Sequence, residues 1–539
     1  MRRTVMIRRL TVLAVTVLAM LAFASPAWAD TFTVDRTDDP IPVAGAGACT
    51  AAANDCSLRG AIEKSNATGQ ADTIEFSASF FAGPHTITLQ DALTTGNDAA
   101  DDLTINGPGQ SLLTVKQSAA VRAFQIVGKT TINGITISGG RSPNNAGGIL
   151  NNGGANLTLN DTTVTDNEAL GAFPNGDGGG IYNASDATVT LNRSTVSGNK
   201  GTGDNGGGIY NSGGTLTLNN STLSGNQGNT AGGGIHSYTN LTGTQKTTVT
   251  NSTISGNHAN WRGGGIFNQE GLTAIEHSTI TNNTATLAGQ GGGVASVGNT
   301  ATRTEVLSTI VSANSNTDDV DFVNGATNSF VSKGFNLLGD GNATGAFNKT
   351  GDQTLVMVPG LETLALNGGA TETHALQTGS PAIDAGPSSC PATDQRGVTR
   401  PQGPRCDIGA FEAATPTVSS TTPTNGVTGV PRNISPTATF SEEMDPATLT
   451  ASTAKVYQRV RKNIRRHGKV RRVWRWVPVS AEVSYDTVNK TVTLNPYGTS
   501  DTLLAPSRRH LVVISTGAKD KAGNALAQNY SWTFTTGIS

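Results

Sequence analysis

Aromatic residues make up only 5% of the 539-residue chain, and no apolar run after residue 29 approaches the roughly 18 residues that a bilayer-crossing helix needs. The first scarcity argues against a globular core filled with large rings. The second leaves no membrane span in a mature chain that begins after that point. The 4 cysteines are not arranged in the paired C-x-x-C spacing of a zinc site. Helical spacing of apolar residues is missing too. Thr215-Leu216-Thr217-Leu218 and Thr222-Leu223-Ser224 alternate, which is the period of short strands.

What the chain has in quantity is glycine and asparagine in a recurring order. A Gly-rich strand reads GGIL at Gly147, GGGIY at Gly178 and Gly206, GGGIH at Gly232, GGGIF at Gly263 and GGGVA at Gly291. A partner strand follows each time, as LTLNDTTVTDN from Leu157, VTLNRSTVSGN from Val189 and LTLNNSTLSGN from Leu216, with TVTNSTISGN, AIEHSTITNN and a divergent VLSTIVSAN after them. The anchors Ile149, Ile181, Ile209, Ile235, Ile266 and Val294 are 32, 28, 26, 31 and 28 residues apart. A period of this size marks stacked units.

Pairs such as Asn192-Arg193 and Asn219-Asn220 fit tight bends, because Asn tolerates the left-handed backbone conformation. Three short strands separated by bends make one coil, and parallel stacking of coils at about 4.8 Å predicts an all-β, right-handed parallel β-helix. A sandwich or propeller of short strands fits less well, since the bends recur at the length of a coil rather than a blade. Ile181, Leu191 and Val196 then point inward, so a narrow aliphatic column replaces a globular core and accounts for the few aromatics. Alternation places Tyr182, Tyr210, His236 and Phe267 in one file on the outer face. That file is a candidate platform for sugar rings; the alternative is that its rings stack on one another or tuck under loops.

Arg2, Arg3, Arg8 and Arg9, the apolar run Leu10 to Phe23 and the site Ala27-Trp28-Ala29 describe a secretory signal peptide over residues 1–29. An exported chain with 4 cysteines is expected to hold two local disulfides, Cys49 with Cys56 and Cys390 with Cys406, one at each end of the repeats. The β-helix is expected over 30–413, with an N-terminal cap at about 30–125, repeats at about 126–320 and a C-terminal cap at about 321–413. Caps are needed because end coils expose unpaired strand edges.

CSLRGAIEKSNA from Cys56 resembles the CSLREA signature that opens a class of bacterial exported β-helix proteins, with Gly60 where that class usually has Glu. GSPAIDAG from Gly379, TDQRGVTRP from Thr393 and CDIGAFE from Cys406 are similar to the closing segment called choice-of-anchor Q. These resemblances imply the β-helix and an exported, surface-related life, and no reaction. From residue 414 the composition changes. PTVSSTTPTNGVTGVPRNISPTATFSEEMDPATL, VSAEVSYDTVNKTVTLNP and KDKAGNALAQNYSWTFTTG resemble the bacterial Ig-like domain of the SbsA surface-layer type, which implies a β-sandwich over 414–539. The alternation in Val483-Ser484-Tyr485, Thr491-Val492-Thr493-Leu494 and Trp532-Thr533-Phe534 predicts half-buried strands independently.

Acid is absent where base is concentrated. Arg459 to Arg475 holds nine Lys and Arg and no carboxylate, although the formal charge of −2 becomes −6 without the four leader arginines and would be −15 without this segment. His467-Gly468 fits a two-residue turn, which predicts a basic hairpin. Arg465, Arg466, Lys469, Arg471 and Arg472, with Trp474 and Trp476, are the candidates for holding an anionic polymer such as a wall teichoic acid or an acidic polysaccharide. Nucleic acid suits the charge but not the export signal. The alternative is a hairpin that only faces water.

Parallel β-helices of the pectate-lyase type include many polysaccharide lyases and hydrolases, so a site has to be sought on the coils. Polygalacturonase-type sites carry N-T-D, D-D and G-H-G on one strand face, and the chain is expected to carry none of them. Arg141-Ser142-Pro143 begins the R-x-P-x-x-R string of a pectate-lyase-type site, but Ala146 stands at its second arginine. Asp177 and Asp204, before the Gly runs of successive coils, are the weak catalytic candidates. His236, His258 and His277 share no motif with an acid or nucleophile. The sequence thus predicts a non-catalytic secreted or surface protein that binds glycan or anionic wall polymer, without cofactor or metal; a lyase or hydrolase with an unrecognised site is the alternative.

Overall fold

The computed structural model describes residues 29–42, 47–96, 102–172, 175–203, 205–238, 246–314, 318–377, 379–466, 469–496, 503–521, 524–526 and 528–538. The expected leader lies outside them except for Ala29. Among the described residues no helix is long and apolar enough to cross a membrane.

One coil shows how the repeat folds. Ile181–Asn183, Thr188–Asn192, Thr195–Ser197 and Lys200–Gly201 are its strands. Each pairs in parallel with its equivalent one coil on, as in Ile181↔Ile209, Leu191↔Leu218, Val196↔Leu223 and Lys200↔Gln227. Stacking produces parallel sheets of 9, 11, 10 and 6 strands. The molecule is therefore all-β, a parallel β-helix followed by antiparallel sheets. The fourth strand is an addition to the three expected; at two residues it is too short to show alternation. Arg193 and Asn220 take φ of 48° and 53°, so the bends fall where the Asn-containing pairs predicted them.

The Gly runs are explained by crowding. A Cβ on Gly179 would lie 2.4 Å from the carbonyl carbon of Lys200 and 2.5 Å from the carbonyl oxygen of Gly207. The strand thus enters between the short fourth strand of its own coil and the backbone of the next. Just past the run, Ile181, Ile209, Ile235 and Ile266 are fully buried, as are Leu191 and Val196, so the aliphatic column forms in the expected phase.

Beside that column stands a polar one. The last Asn of each partner strand is fully or nearly fully buried, and its side-chain amide donates to the next in file: Asn167 to Asn199 at 3.0 Å, Asn199 to Asn226 at 3.0 Å, Asn226 to Asn257 at 2.8 Å, Asn257 to Asn283 at 2.9 Å and Asn283 to Asn314 at 2.9 Å. Asn314 donates to Asp319 Oδ1 at 2.7 Å, which ends the file. Burial pushes the Asp319 carboxyl up to about 6. Each Asn thus joins adjacent coils from inside the turn, where an unpaired amide would cost about 1–3 kcal/mol.

The coils run past the repeats on both sides. The longest sheet begins at Thr31–Val34 and ends at Phe330–Gly334. At the N-terminal end the helix Leu58–Asn66 lays Leu58, Ala61 and Ile62 on the aliphatic column. Ser57 caps it by accepting the Gly60 N–H at 3.1 Å, so the helix starts in spite of the glycine. Arg59 grips Asp39 with two bonds of 2.8 Å. The Cys49–Cys56 disulfide is formed just before this helix.

After Leu337–Leu338 the chain first closes the end of the column, where Ala343 and Phe347 join its core and Gln353 pairs beside Leu337. Residues 371–413 then cover the sheet that contains Thr222–Ser224, Thr253–Ser255 and Thr279–Thr281. Gln395 pins it to two coils, donating to Thr222 Oγ1 at 2.9 Å and accepting from Thr253 Oγ1 at 2.6 Å. His374 Nε2 meets Ser255 Oγ at 2.8 Å, and the Ala410 N–H donates to Thr279 Oγ1 at 3.0 Å. The closing motifs hold this strap together. Arg396 sits on Asp394 at 2.7 Å and 3.5 Å over the Phe411 ring, while Arg400 donates to the Asp407 and Gly409 carbonyls at 3.2 and 2.7 Å. Burial pushes the Asp407 carboxyl up to about 7 and raises that of Glu412 as well. The Cys390–Cys406 disulfide closes the strap.

The last domain packs two antiparallel sheets of 4 strands, one ordered Val418–Thr422, Thr437–Phe440, Thr491–Asn495, Glu482–Asp486, the other Lys469–Val479, Ala454–Arg466, Arg509–Ile514, Tyr530–Thr535. Phe440, Val492, Leu494, Trp532 and Phe534 fill the space between them.

Candidate functional site

The aromatic file exists, but it is not an open platform. Rings of Tyr182 and Tyr210 are 5.3 Å apart, Tyr210 and His236 5.0 Å, His236 and Phe267 4.9 Å. Tyr210, His236 and Phe267 are 8%, 1% and 3% exposed, which leaves Tyr182 as the half-covered end of a stack packed on itself and under the following turns. Burial lowers the His236 pKa to about 3 and drives the Tyr210 phenol well above its usual range. His236 Nε2 meets Gln269 Oε1 at 2.9 Å, while its Nδ1 is buried without a partner. Three of the four rings thus cannot receive the face of a sugar without a rearrangement. Alternation fixed the side of the strand on which they lie, but not the height of the loops above them.

Asp177 is buried, and its Oδ1 accepts the Asn205 N–H at 2.7 Å, so the carboxylate supports the turn before the next Gly run. Asp204 lies outside the described residues. Asn316-Thr317-Asp318-Asp319, past the last repeated strand, does carry the N-T-D and D-D strings, which corrects the expectation that the set is wholly missing. Its first two residues lie outside the described set, and the carboxylates serve the backbone. Asp319 Oδ2 accepts the Asp340 N–H at 3.0 Å, beyond its bond to Asn314, and Asp321 takes the Gly291 and Asn342 N–H groups at 2.8 and 2.7 Å. Among the described residues no three His, Cys, Asp or Glu side chains are grouped to hold a metal ion. His258 lies on a short fourth strand, and His277 takes a bend position with φ of 49°, its pKa lowered to about 4 first by burial and then by Arg400. No acid–base pair among these histidines emerges.

The basic hairpin is a two-stranded ribbon. Ala454–Arg466 pairs with Lys469–Val479 up to Arg466↔Lys469, which leaves His467 and Gly468 between them, outside the described residues. The domain sheet supports the ribbon's first strand only from Ala454 to Gln458. Beyond Gln458 the two strands have only each other. The register sorts the side chains into faces: Arg459↔Trp476, Arg461↔Trp474, Asn463↔Arg472 and Arg465↔Val470 share one, and Val460↔Arg475, Lys462↔Val473 and Ile464↔Arg471 the other. The guanidinium groups of Arg459 and Arg461 sit 5.0 and 4.9 Å from the Trp474 ring. Trp474 and Trp476 are 47% and 39% exposed. No ion pair to a carboxylate is formed by the ribbon's described side chains, and those of Arg466 and Lys469 lie outside the described set.

The tryptophan face therefore unites Arg465, Arg472, Trp474 and Trp476 with Arg459 and Arg461, two residues the sequence reading did not single out. Arg471 belongs to the opposite face. The period-two count from the turn could have sorted them. The arrangement presents cations and flat rings together, stiffened by cation–π contacts worth about 0.5–1 kcal/mol each at exposed sites.

The model of the bacterial Ig-like domain family matches residues 412–536. No curated protein matches the sequence. Among solved structures, the N-terminal part of the bacterial S-layer protein SbsC is 20% identical over 23% of this chain and 24% of its own, with a TM-score of 0.15. Pectate lyase Pel9A is 12% identical over 72% of this chain and 97% of its own, TM-score 0.34. Dettilon tailspike protein gp208 is 11% identical over 93% of each chain, TM-score 0.31. This chain thus spans about a quarter of the SbsC fragment, and 14% of SbsC domains 1–6.

Proposed function

We propose that the protein is exported, works at the cell surface or in the wall, and binds an anionic envelope polymer through the ribbon of its Ig-like domain without catalysing a reaction. The leader-like residues 1–29 and the resemblance of the opening and closing motifs to the CSLREA and choice-of-anchor Q segments support export and a surface life. The observation that carries the binding assignment is the tryptophan face of the ribbon. Arg459, Arg461, Arg465 and Arg472 gather there around two exposed indoles, beyond the reach of the supporting sheet and with no carboxylate paired to the described side chains. A polyanion such as a teichoic acid supplies the missing counter-charge, and sugar units of such a polymer can lie on the rings.

The β-helix then acts as a rigid body that holds this domain. The carboxylates it carries near the candidate sites are spent on backbone N–H groups. Replacing Arg459, Arg461, Arg465 and Arg472 with Ser is expected to abolish salt-sensitive retention on purified wall material while the sandwich stays folded. Retention that persists in this variant contradicts the assignment. Release of products from any member of a polysaccharide panel would restore the lyase or hydrolase reading.

A further inference from the structure

A second binding surface lies on the flank of the rod formed by the short fourth strands. Lys200, Gln227 and His258 occupy the same position on three successive coils, in the registers Lys200↔Gln227 and Gln227↔His258. The next position of each strand is Gly201, Gly228 or Ala259, small and buried, so the floor between the rows is low. A groove of about 410 Å³ runs across these coils. Asn229 and Asn260 form its second wall and are tied together, Asn260 Nδ2 donating to Asn229 Oδ1 at 3.1 Å, with His258 Nε2 3.2 Å from Asn260 Oδ1.

The chemistry of this lining is selective. Among the described residues it is lined by amides, a hydroxyl, an imidazole and an ammonium group. The Lys200 charge is offset by Glu168 at 3.6 Å on the preceding coil. Such a lining suits hydroxyl groups rather than a dense polyanion. Immediately after Asn260 comes Trp261, 51% exposed, its backbone held by an N–H donated to the Thr230 carbonyl at 2.9 Å. It is the one tryptophan of residues 30–413, and the Arg262 guanidinium lies 5.9 Å from its ring centroid. The coil repeat of about 4.8 Å is close to the length of one sugar residue in an extended chain, so equivalent side chains on successive coils meet successive sugars.

We infer that this groove, with Trp261 beside it, binds an extended neutral oligosaccharide lying along the rod. The site is independent of the ribbon and takes a different class of ligand. Hydrogen bonds from Gln227, Asn229 and His258 order the chain across the coils, and a sugar ring stacks on the Trp261 indole.

The test uses the mature full-length protein on immobilised cello-, xylo- and chito-oligosaccharides, washed in high salt so that ribbon contacts are screened. At least one series is expected to be retained. Trp261→Ala should weaken that binding about tenfold, and Gln227→Trp, which fills the groove, should abolish it, both with an unchanged melting temperature. Retention of no neutral series, or retention that neither variant alters, overturns the inference. Retention lost only when the ribbon arginines are replaced also overturns it, and leaves the ribbon assignment standing.

Discussion

Asn226 donates its side-chain amide to Asn257 Oδ1 at 2.8 Å, and the same oxygen accepts the Asn226 backbone N–H at 3.0 Å. One residue of one coil thereby satisfies two donors of its neighbour. Asn226 in turn receives the backbone N–H and the amide of Asn199, each at 3.0 Å, so a single substitution breaks the file in both directions. Asn226→Leu is expected to destabilise the rod by about 2–4 kcal/mol, since two buried donors of Asn199 lose their acceptor and Asn257 Oδ1 loses the amide that donates to it. Chemical denaturation followed by circular dichroism measures it, and hydrogen exchange should place the loss in the adjoining coils.

The strap offers a separable measurement. Gln395 also donates to Thr371 Oγ1 at 2.9 Å, so its amide joins two segments of the strap to two coils. Gln395→Ala is expected to speed hydrogen exchange and proteolytic cleavage within residues 371–413 while the Ig-like domain melts as before. Unchanged protection of the strap would show that the buried network of Arg396, Arg400 and Glu412 holds it without Gln395.

Acidification should weaken the rod through His236. Its folded pKa is about 3, against about 6.5 in an unfolded chain. The folded value is the lower one, so the unfolded chain takes up the proton first. The stability gained from keeping the ring neutral is present above pH 6.5 and lost as pH falls towards 3. Asp319 and Asp407, raised to about 6 and 7, act in the opposite sense over an overlapping window. The contribution of His236 is therefore read as a difference. Between pH 6.5 and 4 the melting temperature of the parent is expected to fall relative to that of His236→Phe.

The course of the coils was legible because Gly runs, alternating strands and Asn bends each leave a local mark, and the Ig-like strands at Val483, Thr491 and Trp532 were legible for the same reason. The role of the final Asn in each partner strand was less so. Asn suits both bends and buried ladders, and only the stacked register shows Asn226 facing Asn257. The side-on course of the strap could not be read either, since Gln395 and Thr222 meet across 173 residues of chain. Burial of Tyr210 and Phe267 depends on loop height, which strand alternation does not report. The two faces of the ribbon follow from counting outward from His467-Gly468, yet the contact of Arg459 and Arg461 with Trp474 emerged only from the pairing.

The grip of the ribbon on a polyanion is tested most directly by titrating the mature protein with purified wall teichoic acid across a range of ionic strengths. The affinity is expected to fall steeply as salt rises, because exposed charges are screened over about 10 Å at 0.1 M. Joint replacement of Arg459, Arg461, Arg472 and Trp474 by Ser should weaken binding more than replacement of Lys462, Arg471 and Arg475 on the opposite face. Binding that ignores salt, or that is equally indifferent to both sets of substitutions, would contradict it.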